Sequence, residues 1–456
     1  MRNKSSFGKI LFFIFLVAGI AAGGFVYLSP MFEKNPPKIE FKDNIYWNLK
    51  SKVNLSISDD SGIKFYKVIF KDGNKEIVLD TQVLVESKKR VDLELKSPEL
   101  DMFFKSTDVQ IIVEAIDSSK WNFLEGNKVI ESFNLKIDRK KPLASVISNS
   151  FAIKRGGSAL VIVKVEDENL KDSYISFNNE QKFELIPFYK DNYYASLIAW
   201  PILTENFSIV NLIAIDKADN KSIIKVPLYI RNIKEKASKI KISDSFIQNV
   251  STKVLDQSGK EIPNDLVEIF IKQNELLRSQ NVAKIEEVSK KYMDKELVNE
   301  FNIIPFKRLT NAATAGQFGQ RRTYYHNNIK IDEAWHLGVD WASVKKADIF
   351  TTNKGRVIFN DYLGIYGNTI ILDHGFGLQT LYAHTSSSNV TVGEKVEANQ
   401  KIGNTGVSGA VLGDHLHFGV LIQGIEVDPL EWMDKNWIKT RITDIIDEAK
   451  KVIDNK

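Results

Sequence analysis

Between residues 39 and 232 the chain alternates apolar and polar positions in short runs parted by turn signals, the two-residue period of half-buried β-strands. In "VNLSISDDSG" (residues 53–62), Val53, Leu55 and Ile57 share one face ahead of an acidic turn. About a hundred residues on, "VIVKVEDENL" (161–170) places Val161, Val163 and Val165 in the same positions. A second pair recurs in the same order: "IIVEAIDSSKWN" (111–122) and "VNLIAIDKADN" (210–220), each an apolar strand closing on Ala-Ile-Asp and a polar turn. Two strand motifs repeated in one order predict a tandem duplication of an all-β unit, over 39–138 and 139–232.

The "AID…N" signature is similar to that of bacterial Ig-like domains, which implies two small β-sandwiches. No exposed aromatic cluster or metal signature stands out in them, so they read as rigid spacers rather than as binding modules for envelope partners. The period then changes. Pro263, Asn264 and Asp265 form a helix-start signal, with Asn264 or Asp265 able to cap a helix beginning at the next residues. The stretch 266–293 carries Leu266, Ile269, Leu276 and Leu277 at helical spacing, so 233–303 is expected to be a helical linker or regulatory region packing on a neighbour. From 304 to 436 short strands return, parted by many glycines, and 437–456 reads as a terminal amphipathic helix without chemistry.

The first residues change the picture. Arg2, Lys4 and Lys9 precede an uncharged run over 10–28, closed by Ser29 and Pro30. Roughly twenty apolar residues suffice to cross a bilayer, and a basic flank stays in the cytoplasm. Residues 1–9 are therefore expected inside the cell, 10–29 as a single transmembrane anchor, and the body outside the cytoplasmic membrane. The small residues of "GIAAGG" keep a cleaved signal peptide open as the alternative.

Composition narrows the chemistry. A chain of 456 residues exceeds one ordinary core. Lys+Arg 62 against Asp+Glu 58 is close to balance and offers no basic surface for nucleic acid. Cysteine is absent, so disulfides, thiolate metal sites and a cysteine nucleophile are excluded, leaving His, Asp and Glu as metal ligands.

There are 6 histidines, all after residue 325. In "GDHLHFGV" (413–420), His415 and His417 flank Leu416; on a strand they project from one face about 6.6 Å apart. In "HLGVD" (336–340), the two ends of a straight strand would lie about 13 Å apart, but Gly338 allows the backbone to curl. One imidazole and one carboxylate from here, with one imidazole from the HLH strand, make three N/O ligands and leave a position open, as in catalytic zinc sites. No HExxH string occurs. A third element, "LYAHTS" (381–386), carries His384 at a strand end, and spare histidines are natural groups to move a proton and steady an oxyanion. His326 and His374 lie in polar turns and read as structural.

The order HxxxD, YAH, HLH, set among "FGQRR", "GRVIF", "VGEKVEANQKIGNTGVSG" and "VDPLEW", resembles the lysostaphin-type zinc endopeptidases of peptidoglycan from about residue 318 to 432. Here "YAHT" replaces the commoner "YAHL", and "GVSG" a Gly-x-Thr-Gly; neither touches a ligand position. The resemblance implies a small antiparallel β-sheet groove, one Zn2+ held by His336, Asp340 and His417, and His384 and His415 flanking the catalytic water. The fold class expected is thus multidomain and mainly β: a transmembrane helix, two Ig-like β-sandwiches, a helical linker region, and a C-terminal antiparallel β-sheet peptidase domain. The function expected is zinc-dependent hydrolysis of peptidoglycan stem-peptide cross-links, D-alanyl–diaminopimelate first, from an inner-membrane anchor with the body in the periplasm. The competing readings are a non-catalytic scaffold or activator of other wall hydrolases, and an adhesin.

Overall fold

The computed structural model describes residues 5–41 and 45–455; Arg2 and Lys4 of the basic flank lie outside the described residues. The chain is mainly β, built from several sheets, with a first helix Ser5–Leu28 whose stretch Phe7–Leu28 is long and apolar enough to cross a membrane. The rest divides into two compact units. One runs up to Lys141 and includes 169–171 and 215–221; the other comprises 142–168, 172–214 and the chain from 222 onward.

The first unit holds a six-stranded sheet in which the long strand Val53–Asp72 pairs antiparallel with Lys75–Leu95 and with Asp108–Asp117. Leu55, Ile57, Val68, Phe70, Ile111 and Val113 fill its core. The repeated Ala-Ile-Asp motif has a structural reason. Asp117 accepts from the backbone N–H and the side-chain amide of Asn127, both at 2.8 Å. Asp216 is clasped in the same way by Asn220, again at 2.8 Å twice. The asparagine of the first copy is thus Asn127, not Asn122, which instead turns the chain with φ 52°. The asparagine stands 10 residues after the aspartate in the first copy and 4 in the second, so the first turn is the longer.

The second unit opens with two four-stranded sheets whose buried faces carry Val161, Val163, Ile175, Phe183 and Leu197. Further along comes an eight-stranded sheet, antiparallel throughout, in which Ala313–Gly316, Val339–Ala342, Leu416–Ile422, Leu378–Ala383, Asn368–Asp373, Gly355–Tyr362 and Lys395–Val396 lie side by side in that order. Ile425–Val427 pairs back on Leu416–Ile422 through a tight hairpin.

The region expected to be helical begins instead with a strand, Lys236–Lys241, paired in parallel with Gln320–His326. Helical structure follows over 244–257 and again from Leu266 to Tyr292, the second capped by Asp265, whose carboxylate accepts from Glu268 N–H at 3.0 Å. Lys272–Leu277 within it has π-helical geometry. That wider turn leaves Leu276 exposed while burying Gln273, Asn274 and Leu277. Ile269, Phe270, Leu277, Ile285 and Val288 share one core with Ile358, Ile365, Ile371 and Leu421 of the sheet region, so the helix is packed on it rather than tethered beside it.

The C-terminal helix returns to the four-stranded sheets. It buries Ile445, Ile446, Ala449 and Ile453, and Ser150 Oγ donates to Arg441 O at 2.7 Å. Between them lies Glu431, 8% exposed, accepting from Ser158 N–H at 2.9 Å. Lys154 is committed to Asp428 at 2.7 Å and stands 3.5 Å from Glu431. Burial therefore prevails and pushes the Glu431 carboxyl up to about 7. A raised carboxyl stabilises the fold in its protonated form, fully below the unfolded pKa near 4.5, and this is lost as pH rises toward 7. Thermal unfolding of Glu431→Gln across pH 4.5 to 8 should show a shallower decline than the parent chain; parallel curves would contradict this account.

Candidate metal centre

Asp340 sits on the strand Val339–Ala342 directly opposite His417 on Leu416–Ile422, and Ala383 is paired with His417 on its other side. His384 therefore follows immediately beyond the sheet edge, and His415 enters just before the strand through a bridge to Gly406. His336 leads the bend into the Asp340 strand, its backbone N–H donating to Gln320 O at 2.9 Å.

His336 Nε2, Asp340 Oδ1 and His417 Nδ1 converge, 3.0, 2.9 and 3.2 Å apart. His336, Asp340 and His417 are only 5%, 8% and 6% exposed, so water does not separate them. Tetrahedral ligands at zinc distances stand about 3.3 Å from one another. The triangle is within a few tenths of an ångström of that, and its donors are N, O and N, so these side chains fit zinc.

Their protonation suits a cation. His336 Nδ1 donates to Gln317 O at 2.9 Å, which turns the Nε2 lone pair toward Asp340. Burial pushes the His336 imidazole down to about 4, keeping it neutral at neutral pH. Burial drives the Asp340 carboxyl upward, but the His336 and His417 rings overcome this and hold it well below the usual range. The second oxygen, Oδ2, takes Arg322 at 2.9 Å. Each carboxylate oxygen thus has one task.

Gly338 makes the bend possible for want of space rather than by an unusual φ. A Cβ there would come 2.6 Å from His417 Nε2 and 2.7 Å from Phe418 O.

The two remaining histidines face the same point. His384 adopts φ 62°, a left-handed conformation uncommon for its type, held by its N–H donating to Tyr366 O at 2.9 Å. Its Nδ1 donates to Ser408 O at 2.9 Å, leaving Nε2 bare. Burial, with His415 and His417 beside it, pushes the His384 imidazole well down. His415 Nδ1 donates to Gly413 O at 2.8 Å, and its Nε2 lies 3.7 Å from Asp340 Oδ1. The two rings are 4.9 Å apart. His326 and His374 are elsewhere. His326 Nε2 meets Asp244 at 2.6 Å, and His374 spans Lys354 O and Thr380 Oγ1 at 2.7 and 2.8 Å.

All five residues singled out from the sequence line one cavity of about 220 Å³. Polar parts of its wall were not legible from the motifs: Tyr366, and Gln273, Asn274 and Arg278 from the helical segment. Arg322 lies inside the "FGQRR" stretch, and its role could have been suspected there. The helix residues carry no motif, only the anomaly of buried polar groups.

Two substitutions test the support around the cluster. Arg322→Ala should weaken zinc binding about 10–100-fold, as removal of such partners does elsewhere. Gly338→Ala should displace His417 and abolish stoichiometric binding. Zinc competition with a chromogenic chelator reads both, and unchanged affinity in either would refute the geometry.

Residues 334–429 match the model of Peptidase family M23. DD-carboxypeptidase/endopeptidase Mpg of Neisseria meningitidis is 34% identical over 130 residues, 28% of this chain and 28% of that protein. Peptidoglycan DD-endopeptidase ShyB of Vibrio cholerae is 30% identical over 135 residues, 30% of this chain and 31% of that protein. Murein hydrolase activator EnvC of Escherichia coli is 38% identical over 81 residues, 18% of this chain and 19% of that protein. The chain spans less than a third of the length of these relatives. The His336, Asp340 and His417 cluster lies within the stretch that matches the model of Peptidase family M23.

Proposed function

We propose that the protein is a zinc-dependent endopeptidase that hydrolyses peptide cross-links of bacterial peptidoglycan, D-alanyl–diaminopimelate the first bond to test, in remodelling the cell wall. The observation that carries this reading is the convergence of two imidazole nitrogens and a carboxylate oxygen within 3.2 Å, beside two histidines with bare Nε2 atoms. The relatives named as DD-endopeptidases support the substrate class. An activator role, as in the name of the Escherichia coli relative, requires no such complete set. The helix Phe7–Leu28 anchors the body to the inner membrane, and the β-rich unit up to residue 141 acts as a spacer reaching into the periplasm.

His336 Nε2, Asp340 Oδ1 and His417 Nδ1 would hold the ion. Bound there, zinc supplies Lewis acidity that polarises the scissile carbonyl and eases deprotonation of the attacking water. Of His384 and His415, one accepts the water's proton at Nε2 and later delivers it to the leaving amine. The other, once it carries a proton on Nε2 as well as on the Nδ1 that donates to a backbone carbonyl, donates to the oxyanion. Arg322 orients Asp340 through its Oδ2. Tyr366 holds the His384 backbone in its strained conformation.

The test separates the paired histidines. His417→Ala, His336→Ala and Asp340→Ala should lose zinc and activity together, with lower thermal stability because metal binding is coupled to folding. His415→Ala and His384→Ala should keep zinc while turnover falls about 10²–10⁴-fold. Bound zinc by mass spectrometry and muropeptide cleavage by chromatography decide it. Loss of zinc in His415→Ala with retention in His417→Ala would invert the assignment.

A further inference from the structure

The helical segment brings polar chemistry to the metal cavity that packing alone does not require. Its π-helical turn, Lys272–Leu277, is a costly geometry that recurs at functional sites. That turn aims Gln273 inward. The side chain is 2% exposed and lines the cavity, yet its Oε1 has no hydrogen-bond partner among the described residues. A buried amide oxygen left unpaired costs stability unless something visits it.

Arg278 lines the same cavity one turn further on. Its Nη2 and Nε bond Asn274 Oδ1 at 2.7 and 3.2 Å, and Nε also reaches Asn274 O at 3.1 Å. Asn274 is pinned in turn, its amide donating to Asp332 at 2.6 Å. The guanidinium is therefore fixed in place through Nε and Nη2, while among the described residues its Nη1 has no hydrogen-bond partner and the residue forms no ion pair. Its field acts on Tyr366 and Glu426, and burial pushes the Glu426 carboxyl up to about 7, so this carboxyl answers Arg278 only in part.

A positioned cation with a free N–H beside an orphaned acceptor suits a ligand that presents a carboxylate together with an N–H donor. We propose that Arg278 and Gln273 form a substrate subsite, Arg278 pairing with a free carboxylate and Gln273 Oε1 accepting an N–H of the same residue. The inference rests on the function proposed above and sharpens it. In a D-alanyl–diaminopimelate link, the carbon bonded to the scissile nitrogen carries a free carboxylate. A glycine bridge offers none at that position. The helical segment then selects among cross-links instead of merely bracing the sheet.

The experiment compares zinc-loaded full chain, R278Q and R278K on two dimeric muropeptides, one with the free diaminopimelate carboxylate and one with that carboxylate amidated. The parent chain should lose about 10–100-fold in kcat/KM on amidation, mainly through KM, the scale of one hydrogen bond to a charged group. R278Q should show that loss already on the carboxylate substrate and little further loss on amidation, with zinc content unchanged; R278K should recover part. Equal losses of R278Q on both substrates, or a gain, would overturn the subsite and mark the helix as packing or a lid. Calorimetric binding of the tripeptide L-alanyl-D-glutamyl-diaminopimelate keeps the two readings apart. Binding that R278Q weakens at least tenfold, in a chain that cleaves neither dimer, would leave the subsite standing and sink the proposed reaction. No binding by the parent chain would sink the subsite alone if cleavage persists.

Discussion

The pairing of Asp340 with His417 across two antiparallel strands is the contact on which the rest depends. Side chains on a strand alternate faces, so a one-residue slip would turn His417 away and bring a neighbouring apolar side chain to the metal point. The register is set by apolar packing, not by the ligands. Leu416 and Phe418 are buried on the opposite face, and Phe418 stacks on Trp341 with ring centroids 5.0 Å apart. The cost of burying the Asp340 carboxylate is offset by Arg322 at 2.9 Å and by the two imidazoles beside it. The hydrophobic face sets the register in which these polar groups meet.

Much of this was legible in the sequence because the chemistry is carried by short motifs on period-two strands. HLH announces two side chains on one face, and HxxxD with a central glycine announces a bend. The φ of His384 was not legible, since a histidine in the left-handed region depends on the Tyr366 carbonyl that receives its N–H. Nor was the strand Lys236–Lys241, whose partner lies some eighty residues away; its parallel pairing is a tertiary fact with a weak local signal. The Asp117 clasp shows a third way for local reading to miss. The motif named the right residue type but the wrong asparagine, because the turn in the first copy is longer and Asn127 completes it.

Within the second unit the strand carrying His417 is held at its far end as well. It turns back through Gln423 and Gly424, with φ 50° and 87°. Gln423 is fully buried there. It accepts from Glu184 N–H at 2.8 Å and donates to Leu197 O at 3.2 Å, both on the four-stranded sheets. Glu431 and the C-terminal helix repeat the attachment a few residues later. For this unit the four-stranded sheets are part of the frame of the site, a reading that composition and periodicity had assigned to spacing alone.

Charge links this frame to selectivity. Arg322 offsets Asp340, so a divalent ion at the cluster would leave the cavity cationic, and Arg278 adds a second fixed charge on the helical wall. Glu426, which accepts from the Tyr366 hydroxyl at 3.4 Å, has its carboxyl pushed up to about 7 by burial and offers little compensating charge. In a cavity of about 220 Å³ such an excess is felt more strongly than on a surface. An anionic group on the substrate would restore balance, whereas a neutral peptide would leave the excess unanswered. The same electrostatics explains why the helix must be packed on the sheet. A cation brought by a loosely tethered segment would swing into solvent, while one pinned through Asn274 to Asp332 stays where the substrate must meet it.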